Sequence, residues 1–80
     1  MGKKRVKFTF PQHLITKPVI YELGRKFDVI TNIRRAEVRE DMGWVVLELE
    51  GDEAEITNGV DWVVSTGVRV DPVGGDVLEG

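Results

Sequence analysis

The chain of 80 residues is 41% hydrophobic and 31% charged, which is the composition of one small folded domain and not of a disordered segment. It has no Cys and a single His, His13, which argues against thiolate chemistry, zinc or iron–sulfur ligation and a His-based catalytic triad. No apolar run approaches the ~20 residues of a membrane span and no signal peptide is recognisable, so we expect a cytoplasmic protein without membrane insertion.

The two halves of the chain carry opposite charge. Residues 1–39 hold ten Lys or Arg and three Asp or Glu, whereas residues 40–80 hold one basic and eleven acidic residues. A nucleic-acid surface needs a basic stripe with stacking aromatics, and the basic residues here are spread over three segments. We therefore expect no nucleic-acid partner, and halves that fold against each other with interleaved charges.

The first part of the chain predicts a strand and a helix. Apolar and polar residues alternate over residues 5–10, which indicates a half-buried strand, and Pro11 ends it. Apolar residues at helical spacing then predict an amphipathic helix over residues 18–27, with Thr16 as its N-cap.

A long extended stretch follows at residues 28–40. Its apolar residues keep one parity as far as Ile33 and the other parity from Ala36. A strand that keeps one face toward the core cannot change phase without an irregularity, so we predict a β-bulge near Arg34 and Arg35.

The return strand of this hairpin is predicted at residues 44–50. A two-residue loop at Met42 and Gly43 would bring apolar residues together across the hairpin. The predicted pairs are Val38 with Leu47, Ala36 with Leu49 and Arg35 with Glu50. In that register residues 28–34 extend beyond their partner as an unpaired edge.

A second helix and a short strand complete the pattern. Asp52 and Glu55 have the spacing of a capping box, and Gly67 has the position of a helix stop. The predicted buried stripe of this helix is Ile56, Val60, Val63 and Val64. A last strand starts at Val68, and residues 74–80 are expected to be a flexible tail or linker behind a domain at residues 4–73.

The order β-α-β-β-α-β predicts an α+β protein with the ferredoxin-like sandwich. Its four-stranded antiparallel sheet has the order 4-1-3-2, with two helices on one face. In this order Arg5 and Lys7 of the first strand lie beside Glu48 of the third and Asp71 of the fourth, which explains the charge split.

Three interpretations of the overhanging segment remain open. It is a strand end held by the first helix, an edge that extends the sheet across a dimer, or a recognition site for a small polar ligand. Thr31 and Asn32 lie there and bring a hydroxyl and an amide. The acidic pairs at Glu40–Asp41 and Asp52–Glu53 are explained by a turn and a helix start, so we expect no enzyme.

Three runs of the sequence resemble the NIL domain family, and together they cover about residues 4–73. They are Phe-Asp-Val-Ile-Thr-Asn-Ile-Arg-Arg-Ala-Glu-Val at 27–38, Gly-Trp-Val-Val-Leu-Glu-Leu-Glu-Gly at 43–51 and Gly-Val-Arg-Val at 67–70. The family is named after an Asn-Ile-Leu stretch, which here reads Asn32-Ile33-Arg34.

The resemblance implies a ferredoxin-like fold and a regulatory role without catalysis. Family members at the end of methionine-uptake ABC transporter ATPases pair with a second copy, bind methionine and inhibit transport. Others are fused to ferredoxin-type domains or stand alone in sulfur amino-acid metabolism, and the Asn-Ile-Arg-Arg run resembles this second group more closely.

Two functional hypotheses follow. The first is a dimeric regulatory module that binds a small, methionine-like sulfur amino acid, with no cofactor and no metal. The alternative is an interaction module that docks a ferredoxin or a sulfur-metabolism enzyme and has no small-molecule ligand. For the first, the candidate ligand contacts are Asn32 and Arg34, supported by the flanking Thr31 and Ile33.

Overall fold

The computed structural model describes residues 2–73 of the chain, and the predicted tail at 74–80 lies outside these residues. Strands and helices follow in the predicted order: β1 (Gly2–Pro11), α1 (Val19–Lys26), β2 (Val29–Val38), β3 (Met42–Gly51), α2 (Glu53–Ser65) and β4 (Arg69–Pro72). The four strands form one antiparallel sheet in the order β2-β3-β1-β4, which is the predicted order read from the other edge. The predicted ferredoxin-like α+β fold is thereby confirmed.

The core lies between the sheet and the two helices. Along β3, and from Val6 onward in β1, every second residue is buried, and the register pairs these buried residues with each other, as with Val6 and Leu47. From the helices, Leu23 and Val63 are fully buried against this surface. Removing a Leu or Phe side chain from water contributes about 1.5–3 kcal/mol, so period-two alternation is the main determinant of the fold.

The predicted interleaving of charge across the sheet is present. Arg5 lies opposite Glu48 with a nitrogen–oxygen distance of 3.4 Å, and Lys7 lies opposite Asp71. The basic first half of the chain thus supplies the strand that lies between the acidic β3 and β4, which carries one Arg and one Asp. Each exposed pair of this kind contributes only on the order of tenths of a kcal/mol.

The hairpin of β2 and β3 corrects two predictions. Val38 pairs with Gly43 and Ala36 with Val45, so the predicted register with Leu47 and Leu49 is wrong by four residues. The turn lies at 39–41, where the Arg39 amide donates to the Met42 carbonyl over 2.7 Å. A shift of four residues leaves every side chain on its predicted face, which is why alternation alone did not reveal the error.

The predicted overhang is wrong for the same reason. Because the turn lies two residues earlier than predicted and β3 starts at Met42, the segment from Val29 to Ile33 pairs with β3 from Gly51 to Leu47. The predicted bulge, in contrast, is confirmed: the register shifts between Ile33 and Arg35, and Arg34 is the extra residue.

The start of α1 differs from its prediction. The N-cap is Pro18 and makes no side-chain hydrogen bond, so Thr16 does not cap this helix. Thr16 precedes the N-cap by two residues. The Val19 amide, at the first position of the helix, donates to the Lys17 carbonyl over 2.8 Å.

The start of α2 differs as well. Asp52 is its N-cap but forms no side-chain cap, and Glu55 does not close a capping box. The Glu55 carboxylate instead accepts the backbone amide of Asp28 over 2.8 Å, which ties α2 to the entry of β2. The Glu55 carboxylate therefore joins two elements that are distant in sequence, which a capping pattern read within one helix cannot predict.

The buried face of α2 is also partly reassigned. Ile56 and Val63 are buried as predicted, whereas Val64 is 52% exposed. Gly59 is buried in the stripe, and a Cβ built there would lie 2.7 Å from Leu23 Cδ1. Helices α1 and α2 therefore approach closely at Gly59, because glycine has no side chain that would keep them apart.

Candidate functional site: the edge strand β2

The strand β2 forms one edge of the sheet. It pairs with β3 on one side, and none of the strands in residues 2–73 pairs with its other side. An edge presents a row of backbone amides and carbonyls that a further extended segment can bind. All four residues predicted to contact a ligand lie on this strand.

The bulge divides β2 into two unlike halves. The half before it, Val29–Ile33, is uncharged and rich in β-branched residues, whereas the half after it contains Arg35 and Glu37. Bulges and charges are the usual protections of an edge strand, so the second half is protected and the first half is open to pairing.

Large apolar side chains are exposed on this open half. Ile30 is 58% exposed and Ile33 is 56% exposed, although Val29 between the strand and the helices is buried. By the register, Ile30 lies opposite Glu50 on the open face and Ile33 opposite Leu47 on the helix side, so exposed apolar area flanks this edge on both faces of the sheet.

The register assigns the predicted ligand contacts to two faces. Thr31 lies opposite Leu49 and Ile33 opposite Leu47, which places both on the helix side of the sheet. Asn32 lies opposite Glu48, on the open face of the sheet, and is exposed. The structure thus brings the four residues together along one short edge but does not enclose them within a cavity of the single chain.

Arg34 occupies a special position. As the extra residue of the bulge it has no counterpart on β3, so simple alternation no longer fixes its face relative to Asn32. Its side chain is exposed and takes part in none of the ion pairs formed by the described residues. It is therefore available to an anionic group.

An apolar groove lies at the far end of β2, and sequence reasoning missed it. Its volume is about 240 Å³, and Lys17 is its one charged lining residue among those described. The other lining residues are Phe10, Ile15, Pro18, Val19, Ile20, Tyr21, Val38, Gly43 and Val45. The sequence offered one sign of this groove. It predicted Val38 on the core-facing side of β2, and an apolar residue on that side at the end of a strand is left partly exposed when no helix covers it. None of the four predicted contacts lines this groove.

The described part of the chain shows neither a metal-binding cluster nor a membrane-spanning helix. Residues 2–73 contain no group of three or more His, Cys, Asp or Glu placed to hold a metal ion. No helix among them has the length and apolarity needed to cross a membrane.

The fold and its edge strand define a small α+β module of the ferredoxin-like type, and comparison with known proteins gives its family. The model of the NIL domain matches residues 4–72, and the chain belongs to that family. The resemblance noted in the sequence is thereby confirmed.

Two relatives place the module in a larger context. The chain is 29% identical over 73 residues to the methionine import ATP-binding protein MetN of Mannheimia succiniciproducens, a match that covers 86% of this chain and 21% of that protein. The chain therefore spans about a fifth of the length of this curated relative. In structure it is similar to the C-terminal domain of an ABC transporter ATP-binding protein from Enterococcus faecalis, with a TM-score of 0.77 at 19% identity over 89% of this chain and 83% of that one.

Proposed function

We propose that the domain is a non-catalytic regulatory module that acts as a pair of copies and binds a small sulfur-containing amino acid of the methionine type. The observation that carries the proposal is the family match over residues 4–72, together with a relative that is named for methionine import. We further propose that the domain comprises residues 4–73 and that it lies in the cytoplasm.

The properties of β2 support this proposal. An amino acid presents a carboxylate and an ammonium group, and an amide such as that of Asn32 offers both an acceptor and a donor to them. The exposed guanidinium of Arg34 can bind a carboxylate through two parallel hydrogen bonds. We propose these two side chains as the polar contacts, with Thr31 and Ile33 holding the strand in place.

The open geometry of the strand explains why a pair of copies belongs to the proposal. Small-molecule sites bury most of the ligand surface, and a single edge strand cannot do so. A second copy of the same edge closes the site from the other side.

Isothermal titration calorimetry of the purified chain tests the ligand. Methionine, homocysteine, cysteine and S-adenosylmethionine are titrated separately, and we expect heat from methionine or its nearest analogue. No binding heat from any of the four compounds would contradict the amino-acid-binding module. It would favour the alternative, an interaction module whose partner is a ferredoxin or a sulfur-metabolism enzyme. Glycine is the matched control, because it carries the same charged groups without an apolar side chain.

A further inference from the structure

We propose that helix α2 clamps the junction between α1 and β2, and that this clamp opens and closes together with the half of β2 that carries the candidate ligand contacts. The junction consists of residues 26–28, directly before β2 starts at Val29. The clamp is a property of the free chain. Its response to a ligand rests on the proposed function, and it makes α2 the element that reports whether β2 is occupied.

The clamp includes a hydrogen bond at Asp28. The Asp28 amide donates to Glu55 Oε1 over 2.8 Å, and a carboxylate acceptor makes a stronger hydrogen bond than a neutral carbonyl. On its other side Asp28 lies against Gly51 of β3. A Cβ built on Gly51 would lie 2.7 Å from the Asp28 carbonyl oxygen. Asp28 is therefore held at its amide by α2 and at its carbonyl by β3.

The two residues before Asp28 contact α2 as well. The rings of Phe27 and Trp62 lie 6.2 Å apart between centroids, and a Cβ built on Gly59 would lie 3.6 Å from the Phe27 ring. Lys26 places its Nζ 5.5 Å from the centroid of the Trp62 ring, within the range of a cation–π interaction. The α2 residues at 55, 59 and 62 have the spacing i, i+4, i+7 and share one stripe of the helix. One face of α2 thus covers each of the three junction residues.

The clamp lies where β2 has little support of its own. The strand pairs with β3 on one side only, and Val29 is the one buried residue among Val29–Val38. Segments with few buried apolar contacts open locally at a lower free energy than the core does. Opening from this end would move Thr31 and Asn32 away from their partners on β3. Glu55 is therefore a positioning residue, because it holds the strand that presents the candidate contacts without being one of them.

A shared opening couples the ligand to α2. A ligand that binds only the closed strand makes the open form rarer, and every contact that is broken in this form is then kept more of the time. The hydrogen bond from the Asp28 amide to Glu55 is one of these contacts, although Asp28 lies outside the candidate ligand contacts. Binding at β2 thus protects the Asp28 amide, and loss of the clamp makes β2 open more often.

Hydrogen exchange of the free chain, followed by NMR, tests the clamp. Glu55→Ala removes the acceptor, and we expect the β2 amides that donate to β3 before the bulge to exchange about fivefold faster. Glu55→Gln keeps a carbonyl oxygen at this position and should stay within about twofold of the wild type. Glu53→Ala removes the same charge from the same turn of α2, so it is the matched control and should leave β2 unchanged. The amides of β4, the opposite edge strand, are the internal reference.

The same measurement with methionine tests the coupling. At a concentration of about 100 times the dissociation constant, the Asp28 amide and the protected β2 amides should slow by one common factor of at least about tenfold. The amides of β4 should not change. Glycine, added at the same concentration, is the control and should slow none of them.

The outcomes separate this inference from the proposed function. Unchanged β2 exchange in Glu55→Ala, or an equal acceleration in β4, would overturn the clamp whether or not a ligand exists. Methionine that gives heat in calorimetry and slows β2, but leaves the Asp28 amide unchanged, would overturn the coupling and leave the proposed function intact. Absence of methionine binding contradicts the proposed function and the coupling with it, and the exchange of the free chain then decides the clamp by itself.

Discussion

At the scale of single residues, alternation along a strand was the most reliable signal in the sequence. It correctly placed Val45, Leu47 and Leu49 on the core side of β3, because each of them loses contact with water only in that parity. It could not place Val64 or Gly59 of α2, because a helix buries a stripe whose edges depend on how close the other helix comes.

Truncation of Leu47 tests this parity directly. The residue is fully buried at the centre of β3, so Leu47→Ala should lower the free energy of unfolding by about 2–5 kcal/mol. Denaturation in urea measures the change, and Val38→Ala is the control, since Val38 is 66% exposed and should change stability little. A Leu47→Ala variant as stable as the wild type would mean that β3 turns its other face to the helices.

Truncation of Asn32 tests the candidate contact. Its side chain is exposed and carries no structural hydrogen bond in residues 2–73, so Asn32→Ala should keep the fold and the dimer but lose methionine binding in calorimetry. Asn58→Ala, an equally polar and exposed change on α2, should bind methionine as the wild type does. Equal binding by wild type and Asn32→Ala would place the ligand elsewhere on the domain, where the apolar groove beside Val38 is the next candidate.

At the scale of secondary-structure elements, the sequence predicted which elements exist but not how two of them join. The bulge at Arg34 was predictable because a phase change within one strand has a single structural solution. The hairpin register was not, because a shift by an even number of residues keeps all apolar side chains inside. Only the position of the turn distinguishes the two registers. The turn lies at 39–41, and not at Met42-Gly43, where the glycine predicted it.

The first turn of α2 offers a test at the same scale. A capping box would make Asp52 the important residue, but in the structure Glu55 carries the hydrogen bond, to the amide of Asp28. Glu55→Ala should therefore cost about 1 kcal/mol of unfolding free energy, and Asp52→Ala only a few tenths through the helix dipole. Chemical denaturation of the two variants side by side measures the order, and a larger effect at Asp52 would restore the capping box.

At the scale of the whole molecule, the charge split of the sequence has a simple meaning. The basic first half supplies β1, which lies between the acidic strand β3 and β4, whose Asp71 lies opposite Lys7, so opposite charges become neighbours within one sheet. The sequence predicted this from strand order alone. It could not predict whether a second copy or a ligand binds the outer edge of β2, because such a partner leaves no periodic signal in the sequence.

The proposal that dimer and ligand share the edge of β2 leads to a prediction for the whole molecule. If both use the same edge, methionine must tighten the dimer by the same factor by which dimerisation tightens methionine binding. The thermal midpoint should then rise with protein concentration and rise further with methionine, since each stabilises the folded state by mass action. For a domain of this size, a gain of about 1 kcal/mol shifts the midpoint by roughly 4–8 °C, which differential scanning fluorimetry resolves. In Asn32→Ala the dependence on protein concentration should remain while the dependence on methionine disappears. A midpoint that responds to methionine but not at all to protein concentration would mean that the ligand binds a single copy, away from the shared edge.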